Sequence, residues 1–300
     1  MKTSFLFAAA LCISISAFGQ DRQDLSRLSG NEPPMLGIHW ARGQDPFSRV
    51  DLDRRRSANM TYHGGKIMPT SNTTAIFWGP SWPSDTSDKI PGIDSFYIGF
   101  SNSNYAKATD EYTGTNGQVG AASSYATHLI DPTAASNGSS TSAILAEVCK
   151  MITGPDTSGN GYYPVYTDVP RGSAGFCAYH TSGTCGGQLV QFAFFFKLDG
   201  DPGCDPQDTS GIHSQGLAAL ANVSAHELSE ARSDPANPGA WYDPQGQENG
   251  DKCAWTFNVP LVTFTNGNQW KLQGEWSNAA YTAGTGYPNS KGQKGCLDGH

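Results

Sequence analysis

The apolar and polar positions of the chain follow two patterns, and the pattern changes several times between residues 60 and 235. Runs rich in aromatic and β-branched residues, separated by Gly and Pro, predict strands at 73–78, 128–130, 162–169, 175–180 and 188–198. Helical spacing of apolar residues predicts helices over 89–100, 143–152 and 214–232. Pro235 ends the last helix, because proline cannot continue one. Strands and helices in this order favour an α+β fold.

The helix predicted over 214–232 is apolar on one face and carries ionisable residues on the other. At about 100° per residue, one face collects Leu217, Leu220, Ala221, Ser224, Leu228 and Ala231. His226 and Glu230 share the opposite face with Ala219 and Val223. Small apolar neighbours on that side indicate a helix covered on both sides. An ionisable pair in such a place must be paired, protonated or metal-bound.

The first 58 residues differ in character from the rest. An apolar run, Phe5 to Ile15, follows Lys2 and ends in small residues before Gln20, which predicts a signal peptide over 1–19. The run is too short to span a membrane, and no later stretch is long and apolar enough. Residues 20–58 are polar and end near Arg54-Arg-Arg56, which predicts a mobile leader or pro-segment before a domain over 59–300. We therefore expect a secreted protein, extracellular or periplasmic, without a membrane span.

Composition and charge narrow the class of protein. Gly (35) and Pro (18) are frequent in the 300 residues, which indicates many loops in a globular chain. Lys and Arg number 19 against 27 Asp and Glu, so the net charge of −8 argues against a nucleic-acid partner.

The cysteine count fits export. Without Cys12 of the signal peptide, six cysteines remain, which predicts three disulfides in an exported chain. Loop length suggests the pairs Cys177–Cys185, Cys149–Cys204 and Cys253–Cys296. We thus expect a single disulfide-stapled domain, with a mixed sheet, a backing helix and a site-bearing helix.

The site-bearing helix contains His226-Glu-Leu-Ser-Glu230. In the zincin pattern H-E-x-x-H, residues four apart bind zinc, and the Glu after the first His takes a proton from the attacking water. Here Glu230 stands in the second ligand position, and carboxylates are acceptable zinc ligands. The pattern therefore assigns His226 and Glu230 to zinc and Glu227 to catalysis, although a harder site also suits calcium or manganese.

A third ligand must come from elsewhere in the chain. Carboxylates follow the helix at Asp234, Asp243, Glu248 and Asp251, and the last two share the segment Glu248-Asn-Gly-Asp251. We expect Glu248 and Asp251 to complete the metal site, with His180 and Asp234 as auxiliary residues.

Two functions of different classes follow. The first is a metal-dependent hydrolase, most plausibly a peptidase, that acts on a peptide. The alternative is a non-catalytic extracellular module that binds a protein or cell-surface polymer, in which the same cluster only stabilises the fold. A structural metal has closed coordination, whereas a catalytic one keeps an open position.

Several segments, in order between about 60 and 285, resemble the phosphate-induced/exordium family of secreted proteins. The resemblance is carried by Met60-Thr-Tyr-His-Gly-Gly65, Gly161-Tyr-Tyr-Pro-Val-Tyr166, Gly175-Phe-Cys-Ala-Tyr-His180, Ser224-Ala-His-Glu-Leu-Ser-Glu-Ala231, Asp234-Pro235, Ala240-Trp-Tyr242 and Glu248-Asn-Gly-Asp-Lys-Cys253. It implies an extracellular location and one domain, and associates the chain with growth and cell-wall responses in plants. It implies no reaction. The order of strands followed by a His-Glu helix is also similar to zincin-like metallopeptidases, at the level of fold analogy.

Overall fold

The computed structural model describes residues 34–46, 58–135 and 139–300. The predicted signal peptide, 1–19, lies outside the described residues, as do 20–33 and 47–57 of the predicted leader.

The described residues form an α+β structure with a mixed sheet, as the element order predicted. The strands are β1 (Ile38–Trp40), β2 (Thr61–Tyr62), β3 (Ser71–Trp78), β4 (Thr113–Gly114), β5 (Gly117–Gln118), β6 (Ser123–Asp131), β7 (Gly161–Pro170), β8 (Phe176–Cys185), β9 (Gln188–Lys197), β10 (Trp241–Tyr242), β11 (Val262–Thr263), β12 (Gln269–Trp270), β13 (Glu275–Trp276), β14 (Tyr287–Pro288) and β15 (Lys294–Leu297). The helices are α1 (Lys89–Phe100), α2 (Thr141–Met151), α3 (Gln215–Ser233), α4 (Asn249–Lys252) and α5 (Asn278–Ala283). Two short 3₁₀ turns span Trp82–Ser84 and Ala106–Thr109.

The central sheet has six strands in the order β1-β8-β9-β7-β3-β6. Strands β9, β7, β3 and β6 run parallel to one another, whereas β8 is antiparallel to both β9 and β1. Strands β3, β7 and β9 are buried along most of their length, whereas the edge strand β6 is half-buried or exposed over most of its residues.

Helices cover both faces of this sheet. Tyr166 of β7 hydrogen-bonds through its hydroxyl to Ser224 of α3 at 2.7 Å and to Tyr97 of α1 at 2.8 Å, so α1 and α3 share one face. His180 of β8 points to that face too, because its partner Ala193 lies two residues from Phe195, the partner of Tyr166. Gly183, three residues after His180, faces Leu145 of α2 on the other side. The site-bearing helix α3 thus packs over the end of the sheet where β8 and β1 lie.

Ordered structure does not begin near Met60, as the sequence suggested. Part of the predicted leader, residues 34–46, is ordered, and its strand β1 pairs with β8 in the central sheet. The physical reason is the apolar residues Leu36, Ile38 and Trp40 in an otherwise polar segment, because burying apolar side chains stabilises the packed strand.

Three disulfides form, as the even cysteine count predicted, but two of the expected pairs are wrong. The bonds are Cys149–Cys185, Cys177–Cys204 and Cys253–Cys296, with Cα–Cα distances of 5.1, 5.8 and 5.8 Å. Cys177 and Cys185 lie near opposite ends of β8. An extended strand rises about 3.3 Å per residue, so these two cysteines cannot approach each other within disulfide reach. In the described part of the chain, no helix is both long enough and apolar enough to cross a bilayer.

Candidate metal centre

Helix α3 is enclosed on every side. The Ser214 side chain caps it by accepting a hydrogen bond from the Leu217 amide at 3.2 Å, and each residue from Gly216 to Ser233 is buried. The prediction of a helix covered on both sides is therefore confirmed. The burial includes His226, Glu227 and Glu230, all of which have 0% exposed surface.

Glu230 lies at the centre of the buried cluster and faces a histidine with each of its oxygens. Its Oε1 is 3.2 Å from Nε2 of His226, and its Oε2 is 3.7 Å from Nε2 of His180. The His226 side is completed by Asp251, whose Oδ1 is 3.8 Å from the same Nε2. The His180 side is completed by Glu248, whose Oε2 is 3.3 Å from Nε2 of His180.

His226 lies in a candidate ligand set. Nε2 of His226 is buried and makes no hydrogen bond within the described residues, although two carboxylate oxygens lie within 4 Å of it. Two overlapping groups have ligand atoms close enough to share one cation, namely His226 with Glu230 and Asp251, and His180 with Glu227 and Glu230. The structure thus contains a buried His/Glu cluster that could bind a metal.

Helix α4 brings the downstream carboxylates to this point. Glu248 and Asp251 cap each other's backbone amides in a capping box, and the Asp251 amide also donates to Oε1 of Glu230 at 3.0 Å. Gly250 between them lies against the His226 ring, and a Cβ there would be 2.7 Å from Nδ1. The segment Glu248-Asn-Gly-Asp251 therefore needs glycine to approach α3 closely enough.

Gln273 orients the His226 ring from the other side. Its side-chain nitrogen lies 2.9 Å from Nδ1 of His226 and donates to the Gly250 carbonyl at 2.9 Å. Its side-chain oxygen accepts from the Trp255 amide at 3.3 Å and lies 3.0 Å from Nε2 of His39. This amide orientation makes Nδ1 of His226 the acceptor, so the neutral ring carries its proton on Nε2.

Burial decides the protonation of the two histidines closest to Gln273. Desolvation and the neighbouring His180 lower the pKa of His226 and Glu248 opposes the shift, so that the pKa lies at about 3. Desolvation and the neighbouring His226 likewise hold the pKa of His39 well below its usual value. Both rings are therefore neutral at pH 7.

Glu227 shows the opposite shift. Burial raises the pKa of its carboxyl well above the usual value, and the charges of Glu230, Asp251 and Glu248 raise it further. Neither Glu227 oxygen has a hydrogen-bond partner among the described residues, and the side chain lies in the group with His180 and Glu230. Glu227 therefore faces the cluster, where a proton acceptor would be needed.

Strand β1 covers the cluster. The Gly37 amide donates to Oε1 of Glu248 at 3.2 Å, and a Cβ at Gly37 would lie 2.2 Å from both Oε2 of Glu230 and Nε2 of His180. The His39 ring packs edge-on against His226 with 4.2 Å between centroids. In this state the cluster has little contact with solvent, since Asp251 is its most exposed side chain at 14%.

Most of the residues singled out from the sequence meet here. The structure brings together His226, Glu227, Glu230, Glu248, Asp251 and the auxiliary His180. It does not bring Asp234 or Asp243 into either candidate group. Asp234 accepts a hydrogen bond from the Ala240 amide at 2.6 Å, and Asp243 pairs with Lys252 at 2.9 Å.

Sequence reasoning missed Gly37, His39 and Gln273. The first two lie in a short apolar run within the polar leader, Met35-Leu-Gly-Ile-His-Trp-Ala41, and that run was a usable signal for a buried strand. Gln273 carries no such signal, because a single amide in a loop-rich region is common. In comparisons of the chain with protein-family models, curated proteins and solved structures, nothing matches.

Proposed function

We propose that the protein is an exported, metal-dependent hydrolase of the peptidase type, with one divalent cation held by His226, Glu230 and Asp251. The observation that carries the proposal is Nε2 of His226, a buried nitrogen without a hydrogen bond in the described structure that faces two carboxylate oxygens. Imidazole with two carboxylates suits zinc, and calcium or manganese are the alternatives. The sequence resemblance to the secreted exordium family and the zincin-like element order support export and hydrolysis respectively.

Glu227 would act as the general base, because a bound cation beside it would oppose the rise in its carboxyl pKa and favour the ionised form that accepts a proton. A bound divalent cation would polarise the scissile carbonyl and lower the pKa of a water. Glu227 takes a proton from the attacking water and passes it to the leaving nitrogen. The water oxygen bonds to the carbonyl carbon, the C–N bond breaks, and a carboxylic acid and an amine result. His180, which lies between Glu230 and Glu248, positions the Glu230 carboxylate.

Metal content and activity test this proposal with three variants. We expect about one equivalent of bound cation in the wild type by elemental analysis. His226→Ala should lose the cation, whereas Glu227→Gln should keep it and lose hydrolysis of peptides. His213→Ala is the matched control, because His213 stacks on Trp270 rather than joining the cluster. Equal metal content in the wild type and His226→Ala would overturn the metal assignment.

The second candidate is a non-catalytic extracellular module, a binder of a protein or cell-surface polymer, and two observations favour it. The cluster is covered by β1, and the Gln273 amide orientation places the proton of His226 on the nitrogen that a cation would need. This candidate would be supported if Glu227→Gln kept its metal and neither the variant nor the wild type hydrolysed peptides, because a structural site needs no base.

A further inference from the structure

Strand β1 lies on β8 as a bound peptide would. The Leu36 amide donates to the His180 carbonyl at 3.2 Å, and the His180 amide donates to the Gly37 carbonyl at 3.1 Å. Ile38 is then in register with Tyr179, antiparallel to β8. These are backbone hydrogen bonds, which any extended peptide can form at a sheet edge. The edge of β8 is thus built to accept a strand.

The other side of β1 faces the candidate chemistry. The Gly37 amide donates to Glu248, and the Gly37 Cα lies so close to His180 and Glu230 that no Cβ fits. The His39 ring packs edge-on against His226 with 4.2 Å between centroids. The peptide units on both sides of Gly37 therefore lie where a peptide to be cleaved would have to lie. Glycine is required at this position for space.

Only non-covalent contacts hold this segment in place. Residues 34–46 contain no cysteine, so none of the three disulfides ties them to the domain. The guanidinium of Arg42 donates to the Asp205 carbonyl at 2.9 and 3.1 Å and lies 4.4 Å from the centre of the Trp255 ring. The Trp255 indole donates to the Trp40 carbonyl at 2.9 Å. Arg42 thus anchors the end of the strand through Trp255 and the Asp205 carbonyl, and makes no contact of its own with the cluster residues in the described structure.

We propose that residues 34–46 are an inhibitory strand that occupies the binding edge for an extended peptide, and that the external partner is a polypeptide with glycine at the Gly37 position. Such a peptide would bind antiparallel to β8 once the strand leaves. That this peptide is then hydrolysed rests on the proposed function, whereas displacement and binding do not.

The test uses the full chain with Gly37→Val, which forces a side chain into His180 and Glu230 and should expel the strand. Arg42→Ala is a second variant that weakens the anchor without touching the cluster, and Gln44→Ala in the same segment is the control. The probe is a fluorescent synthetic peptide with the sequence of residues 34–46, together with its own Gly37→Val version. Hydrogen exchange at the His180 amide reports strand loss independently.

We expect the wild type and Gln44→Ala not to bind the probe, because their own β1 is already paired with the edge of β8. Gly37→Val and Arg42→Ala should bind it, with His180 exchange faster by roughly tenfold or more and exchange in α2 unchanged. The valine version of the probe should bind to neither variant. Binding without hydrolysis in the presence of zinc would support the strand proposal and contradict the hydrolase. If the variants fold but neither bind the probe nor show faster exchange at His180, the inhibitory-strand proposal is wrong and β1 is a permanent strand of the sheet.

Discussion

At the scale of single residues, buried acids occur outside the cluster as well. Glu147 of α2 has a side chain only 3% exposed, beside Asp131 of β6 and Lys150. Burial and a hydrogen bond with Asp131 raise the pKa of Glu147 and Lys150 opposes the rise, so that the pKa lies at about 7. At neutral pH this carboxyl is therefore close to its midpoint of titration in the folded protein, whereas in the unfolded chain it is ionised.

This difference predicts a pH-dependent stability. Between the ordinary pKa and about 7 the folded state holds a proton that the unfolded state has lost, so stability falls as the pH rises and levels off above the folded pKa. Glu147→Gln keeps a donor for Asp131 but cannot ionise. We therefore expect the difference in urea midpoint, Glu147→Gln minus wild type, to be larger at about pH 8 than at about pH 5. Urea denaturation at both pH values measures this, and a constant difference would contradict the role of Glu147.

At the scale of elements, the approach of α4 to α3 decides whether the site exists. Helix α4 has only four residues and supplies Asp251 to a histidine on α3. The contact is possible because Gly250 places its backbone against the His226 ring, which Gln273 holds from behind. The ring cannot move aside, since it is fully buried.

We therefore expect Gly250→Ala to destabilise the protein by about 1–3 kcal/mol through overpacking, more than alanine gains in helix propensity. It should also weaken cation retention, because α4 and Asp251 are pushed outward. Gly154→Ala is the matched control, since a Cβ at Gly154 meets nothing within 4 Å. Chemical denaturation and elemental analysis of both variants check this, and equal stability of the two would show that α4 adjusts freely.

At the scale of the whole molecule, the disulfides join segments that are distant in sequence. Cys149–Cys185 ties α2 to the end of β8, and Cys253–Cys296 ties the residue after α4 to β15. The sequence separations are 36 and 43 residues. Similar loops give similar entropic stabilisation, so these two bonds differ mainly in their distance from the candidate metal centre.

Replacing both cysteines of one disulfide by alanine distinguishes an effect on the stability of the fold from an effect on the geometry of the site. Loop entropy predicts a loss of about 4 kcal/mol for either double variant. Only Cys253→Ala with Cys296→Ala should also lower cation retention, because α4 then loses its covalent tie. Denaturation midpoints and metal content of the two variants are the measurements. Equal metal loss in both would indicate general unfolding rather than a local effect on α4.

Local patterns in the sequence determined the elements of the sheet and the site-bearing helix. The helix expected over 89–100 is α1 with the same bounds, and the helix expected over 214–232 differs from α3 by one residue at each end. Spacing along a helix is a local property, so the convergence of His226 and Glu230 also followed from four-residue separation. The number of disulfides followed from the even count of cysteines after residue 19.

Only the tertiary structure decided what these elements meet. Disulfide pairing depends on which strand ends lie side by side, and no loop length contains that information. The choice of Asp251 and Glu248 over Asp234 and Asp243 depends on a four-residue helix that glycine lets approach α3. The place of residues 34–46 depends on an open edge of β8, more than 130 residues away in sequence. A strand finds its partner through backbone hydrogen bonds that every sequence offers, so its own residues could show that it is buried but not where.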